Sequence, residues 1–137
     1  VTLEYRLDSR PSAAQFIALL SAAGIANRRP VEEPAVIQAA IDGAQVVVTA
    51  WDGSALVGAL RAITDFHLHC YVGEIAVDPA YQRRGIGLEL QRRLRGQLGP
   101  ECKIKLSSTT AAATYYPSIG YTRPDHFWEL KPGTPLG

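Results

Sequence analysis

The sequence predicts a single α/β domain built on a mixed, mostly antiparallel sheet of about seven strands flanked by four helices. Three observations predict it. Short alternating or Val-rich runs recur along the chain, with helix-period stretches between some of them. Asp52-Gly53 joins two of these runs as a hairpin turn. The strand end Ile75-Ala76-Val77-Asp78-Pro79 leads through a glycine-containing loop into an amphipathic helix.

Each element has its own signal. Leu3-Glu4-Tyr5-Arg6-Leu7 alternates and reads as the first strand. Ser9 or Ser12 caps a helix that runs through Phe16, Leu19 and Leu20 to Gly24. Asn27-Arg28-Arg29-Pro30 is a loop. Pro34 opens a second helix through Val36, Ile37 and Ile41, stopped at Gly43. Residues 45–51 are rich in Val and Thr and form a strand, and residues 56–63 return from the hairpin. Residues 70–77 are the next strand. Ile86, Leu90, Leu94 and Leu98 recur every four residues, which is one buried helical face. Gly99-Pro100 ends that helix. Residues 104–106 are a strand, 109–116 a helix, and Gly120-Tyr121 and 126–130 the last extended segments. Residues 1–131 make one domain and 132–137 a tail.

Composition narrows the function. The chain has 137 residues, 47% hydrophobic and 20% charged, which are ordinary globular values. No apolar run is long enough to span a bilayer, so no membrane partner is expected. No charged-then-apolar leader is read, and the chain is expected to be cytoplasmic. Net charge is +1, which argues against a generic nucleic-acid binder, although Arg83, Arg84, Arg92, Arg93 and Arg95 cluster. Cys70 and Cys102 match no metal or redox spacing. His67-x-His69-Cys70 lacks a second ligand pair, so no metal is expected.

The loop carries the chemistry. Helix-opening amides have no partner within the helix and sit at the positive end of its dipole. Gly85 and Gly87 remove the side chains that would keep a ligand from them. That is a phosphate cradle. Its spacing, Gln82-x-x-Gly85-x-Gly87 after Val77-Asp78-Pro79, is neither the nucleotide-hydrolase loop nor the dinucleotide fingerprint. It resembles the acetyl-CoA pyrophosphate loop of the GNAT superfamily of N-acetyltransferases. The order of elements resembles that fold along nearly the whole chain.

The resemblance implies a sheet splayed between its fourth and fifth strands, with the pantetheine arm of acetyl-CoA in the gap. It implies cofactor contacts from Ile75, Ala76 and Val77 and from Gln82, Arg83, Arg84, Gly85, Ile86, Gly87 and Leu88. The stretch Ala112-x-x-x-Tyr116-x-x-x-Gly120-Tyr121 resembles the family segment whose Tyr stands by the thioester sulfur, which makes Tyr116 the candidate acid. Tyr115 takes that place if the register is off by one. Thr109 stands where the family often has Asn, and Pro117 follows Tyr116 directly.

Amine acetylation needs a base, because only about one alkylamine in 2,500 is neutral at pH 7. Glu74, on the acceptor side of its strand, is the candidate, acting directly or through water. Asp65 is an alternative carboxylate that would attract a cationic substrate. The resemblance implies an acceptor pocket built by residues 27–33 and 124–128. The expected activity is acetyl transfer from acetyl-CoA to a primary amine of a small molecule or protein in a ternary complex. A non-catalytic CoA-binding sensor and a nucleic-acid-binding module are the alternatives. Pairing of sheet edges into a homodimer is compatible with the resemblance.

Overall fold

A computed structural model describes residues 2–26 and 29–137 of the chain. The chain divides into two compact units, Val1–Ser107 and Ser108–Gly137.

The first unit holds the sheet. Its elements are β1 (Glu4–Arg6), α1 (Ala13–Ala22), α2 (Pro34–Gly43), β2 (Val46–Asp52), β3 (Ala55–Thr64), β4 (His69–Val77), α3 (Ile86–Arg95) and β5 (Lys103–Leu106). The strands lie in chain order, with β1 to β4 antiparallel and β5 parallel to β4. The parallel step follows from the crossover through α3, which returns the chain in the same direction.

Local signals explain the helix starts. Ser12 caps α1 in a reciprocal box with Gln15, and Pro34 stands in the first turn of α2. Period-two alternation then divides the sheet residues between two cores. Val48, Val57, Leu60, Cys70 and Val72 pack under Ile86, Leu90 and Leu94 of α3. Ala59 and Ala76 pack under Phe16, Leu20, Ile37 and Ile41 of α1 and α2. Helix α3 sits close on β3: a Cβ on Gly58 would lie 2.9 Å from Ile86 Cγ2. None of the described helices is long and apolar enough to cross a membrane.

The second unit contains a single 3-10 turn (Thr110–Ala112) and α4 (Tyr115–Ser118). Two expectations are corrected here. The sheet has five strands among the described residues, not about seven, because Gly120-Tyr121 and residues 126–130 enter no ladder. Residues 122–137 are all exposed, and strand-like side chains without a partner edge or a core do not make a strand. The predicted helix at 109–116 is instead the 3-10 turn followed by α4, which begins at Tyr115. Pro117 falls in the first turn of α4, where its missing N–H breaks no helix bond.

Candidate active site

The site begins with a slip in the sheet. Along β3 and β4 the register pairs Arg61 with Glu74 and Ala62 with Val72, leaving Gly73 as the extra residue of a bulge. The bulge rephases the strand. Cys70 and Val72 face α3 before it, and Ile75 and Val77 face α3 after it. Glu74 and Ala76 therefore face α1 and α2.

The neighbouring strand stops at the same place. β5 pairs with β4 from His69 to Val72 and ends at Leu106. From Gly73 to Val77 no strand among the described residues pairs with β4 on the β5 side. This is a notch in the sheet, flanked by Ile75, Ala76 and Val77.

Beyond the notch lies the loop. Asp78 caps a 3-10 turn (Pro79–Tyr81) by accepting from the Ala80 amide at 2.9 Å. Gln82 Nε2 donates to the Val77 carbonyl at 3.3 Å and ties the loop to the strand end. Arg83 and Gly85 then adopt left-handed conformations, with φ of 63° and 77°. For Arg83 that geometry is uncommon and mildly strained, and such strain gathers at ligand sites. Gly85 is the N-cap of α3, so Ile86, Gly87 and Leu88 open the helix with their amides unclaimed by any described side chain. Gln82, Arg83, Arg84 and Gly85 are exposed, while Ile86 is buried and anchors the helix. The Arg84 guanidinium lies 5.2 Å from the Tyr81 ring centroid, and the Tyr81 hydroxyl donates to Asp52. These residues fit a pyrophosphate: donors point outward, positive charge is adjacent, and no side chain grows from the two glycines.

Glu74 sits in unexpected company. Its carboxylate accepts from Arg61 Nε at 2.6 Å, Arg61 Nη2 at 2.7 Å and Arg29 Nε at 2.7 Å. Arg29 Nη2 also donates to the Gly73 carbonyl. The Glu74 side chain is 2% exposed. Burial works to raise its carboxyl. The hydrogen bond and charge of Arg61, then the charge and hydrogen bond of Arg29, outweigh burial and leave it below the usual carboxylate range. A carboxylate held this way is a weak base.

Neither arginine was singled out as a Glu74 partner from sequence. A signal existed for Arg61, the only charged residue in an otherwise apolar strand. Arg29 is 45 residues from Glu74 and gave none. Asn27 and Arg28 of the same loop lie outside the described residues.

Asp65 is committed elsewhere. Its Oδ1 accepts from the amides of His67, Leu68 and His69 at 3.0, 2.8 and 3.0 Å, closing the β3–β4 turn. Those three bonds, led by that of His69, lower its carboxyl to about 2. The arginines of α3 are partly occupied as well. Arg93 pairs with Glu89 at 2.9 Å and lies over the Tyr5 ring, which weakens the case for a nucleic-acid surface. Among the described residues there is no group of three or more His, Cys, Asp or Glu that could hold a metal ion.

In the second unit, Tyr116 is half-buried between two other tyrosines. Its ring meets Tyr115 at 5.1 Å and Tyr121 at 5.4 Å between centroids, both edge-on. The Thr109 hydroxyl accepts from the Ala112 amide at 3.2 Å and caps the 3-10 turn.

Comparison with known proteins decides the family. Residues 19–126 match the family model described as an acetyltransferase (GNAT) domain. The chain belongs to the GNAT acetyltransferase family.

Solved structures of this GNAT fold agree along the chain. A Staphylococcus aureus protein described as a probable acetyltransferase is similar with a TM-score of 0.79 at 20% identity, covering 95% of this chain and 99% of that one. A GNAT-family acetyltransferase from Streptococcus pneumoniae is similar at 0.70 and 24%, covering 95% and 98%. A predicted acetyltransferase from Clostridium acetobutylicum, solved with acetyl-CoA, is similar at 0.71 and 14%, covering 95% and 96%. No curated protein matches the chain. At these identities the structures speak for the fold, and the family model for the acetyltransferase assignment.

Proposed function

We propose that this GNAT protein is an N-acetyltransferase that moves the acetyl group of acetyl-CoA to a primary amine within a ternary complex. The observation that carries the proposal is the union of two features. The exposed left-handed loop at the start of α3 adjoins the β4 edge from Gly73 to Val77, along which β5 does not pair. One end suits a pyrophosphate and the other suits an extended amide-bearing arm.

In this reading Gln82, Arg83, Arg84, Gly85, Ile86, Gly87 and Leu88 hold the pyrophosphate, chiefly through main-chain N–H groups. Main-chain groups of Ile75, Ala76 and Val77 hold the pantetheine and the acetyl carbonyl. Thr109 and Tyr115 are further cofactor contacts in this reading. The neutral amine attacks the thioester carbonyl carbon. The C–N bond forms, the C–S bond breaks, and the thiolate receives a proton from the Tyr116 hydroxyl. The attacking nitrogen gives up its proton to water, and through water that proton restores the Tyr116 hydroxyl, because the low affinity of Glu74 for a proton makes it a poor acceptor. Glu74 instead fixes Arg61 and Arg29 on the acceptor side.

A second reading is a non-catalytic acyl-CoA sensor, favoured by the full engagement of Glu74. Thiol release from acetyl-CoA over a panel of amines separates the two. Turnover with any amine, reduced in Tyr116→Phe while acetyl-CoA affinity is kept, supports the enzyme. Binding without turnover on every amine supports the sensor.

A further inference from the structure

The face of β3, β4 and β5 turned away from α3 carries an unusual charge pattern. Alternation puts Arg61 of β3, Glu74 and Tyr71 of β4, and Lys103 and Lys105 of β5 on that face, since Ile104 and Leu106 pack toward α3. Arg29 joins it from the loop between α1 and α2. The only carboxylate in these three strands is Glu74, and two guanidiniums already hold it. Glu74 thus shares this face with Arg61, Arg29, Lys103 and Lys105.

Part of this charge is available. Arg61 spends Nε and Nη2 on Glu74, no described hydrogen bond takes its Nη1, and its side chain is 13% exposed. Lys105 is exposed and enters no ion pair among the described residues. The register sets Ile63, Tyr71 and Lys105 side by side across the three strands. Tyr71 is 39% exposed and Ile63 50%, so an apolar strip lies beside the cations. The row Val72–Leu106, the last pair before the notch, adjoins this strip.

We propose that this open face receives the acceptor, and that the acceptor carries an anionic group, a carboxylate or a phosphate, in addition to its amine. The inference rests on the transferase reading above and specifies the substrate class of the same site. The anion meets Arg61 Nη1 and Lys105, the molecule's apolar part lies on Tyr71 and Ile63, and the amine reaches the notch. Glu74 keeps Arg61 from swinging away while leaving its Nη1 for the ligand. Arginine presented with a fixed planar fork suits such an anion.

The test compares matched amines with the intact protein and acetyl-CoA. Phenylalanine is set against phenethylamine, and O-phosphoethanolamine against ethanolamine. The anionic member of at least one pair should show a kcat/KM higher by about tenfold, which a single charge-assisted hydrogen bond supplies. The pair that responds distinguishes carboxylate from phosphate. Lys105→Glu should raise KM for that acceptor by about tenfold more than it changes kcat. Equal or reversed preference in both pairs, or a Lys105→Glu protein with the same preference, overturns the inference. Binding is read separately by titrating the same four compounds into the acetyl-CoA complex and following the Tyr71 ring signals. Anion-selective binding without transfer keeps the anion site on this face and defeats the transferase reading, and with it the ligand's role as acceptor. Transfer without anion preference does the reverse.

Discussion

Arg61 grips Glu74 with two hydrogen bonds, at 2.6 and 2.7 Å, at the point where the β3–β4 register slips. The grip needs Gly73. A Cβ there would lie 2.3 Å from Arg61 Nη2 and 2.9 Å from its Cζ. Gly73→Ala should therefore displace the guanidinium and not the backbone. Moving a flexible side chain is sterically cheap, but Glu74 then loses its best partner while still buried. A loss of about 1–3 kcal/mol is expected, since removing one partner of a buried pair exposes the desolvation cost of the other. Urea unfolding of Gly73→Ala beside the parent checks it. Unchanged stability would mean that the pair contributes little.

Glu74 also predicts a pH dependence. Its folded carboxyl lies below the usual value of 4.5, so the folded state holds the charged form more strongly than the unfolded chain does. The stabilisation is complete above 4.5 and is lost as pH falls through that value toward the lower folded one. Glu74→Gln should cost about 2–4 kcal/mol at pH 7 and flatten the acid limb. Parallel acid limbs for parent and variant would contradict the assignment.

How much of this was legible in the chain differs by element. The start of helix α3 and its loop were legible because Ile86, Leu90 and Leu94 repeat at the helical period and Gly85 suits a left-handed cap, whereas the end was read too late, at Gly99-Pro100 instead of Gly96. The hairpin at Gly53, with φ of 60°, was legible for the same local reasons. The last two strands were misread because His126, Phe127 and Trp128 look strand-like locally, whereas a strand exists only with a partner edge. The engagement of Glu74 was not legible because Arg61 and Arg29 come from 13 and 45 residues away. Local pattern does not encode which charges a bulge brings together.

Asp65 supplies a second acid-sensitive group of the same sign. Three backbone donors lower it from 3.8 to about 2. Its contribution is present above 3.8 and lost as pH falls toward 2. Asp65→Ala should lower the melting temperature at neutral pH and remove that part of the acid loss. The measurement is thermal unfolding across the acid range. A variant melting like the parent at pH 7 would show that the turn does not need its cap.

Gly58 connects the core to the cradle. A larger side chain there meets Ile86 at 2.9 Å and Ala50 at 3.3 Å, both buried. Ile86 is the first residue of α3, so Gly58→Val pushes on the helix end that presents the loop amides. Overpacking of this kind costs about 1–3 kcal/mol. The specific expectation is a weaker affinity for acetyl-CoA measured where the variant is still folded. Full affinity in a folded Gly58→Val protein would uncouple β3 from the cradle.

The proposed hold of the left-handed loop at the start of α3 on acetyl-CoA is open to direct measurement. Calorimetric titration of acetyl-CoA into the parent and into Gly85→Val tests it most directly. Gly85 has φ of 77° with nothing within 4 Å of an added Cβ, so the substitution strains the loop without crowding the core. Saturable binding on the order of micromolar is expected for the parent, with a loss of at least about tenfold in the variant and unchanged circular dichroism. No saturable heat in the parent, or the same affinity in both proteins, would contradict it.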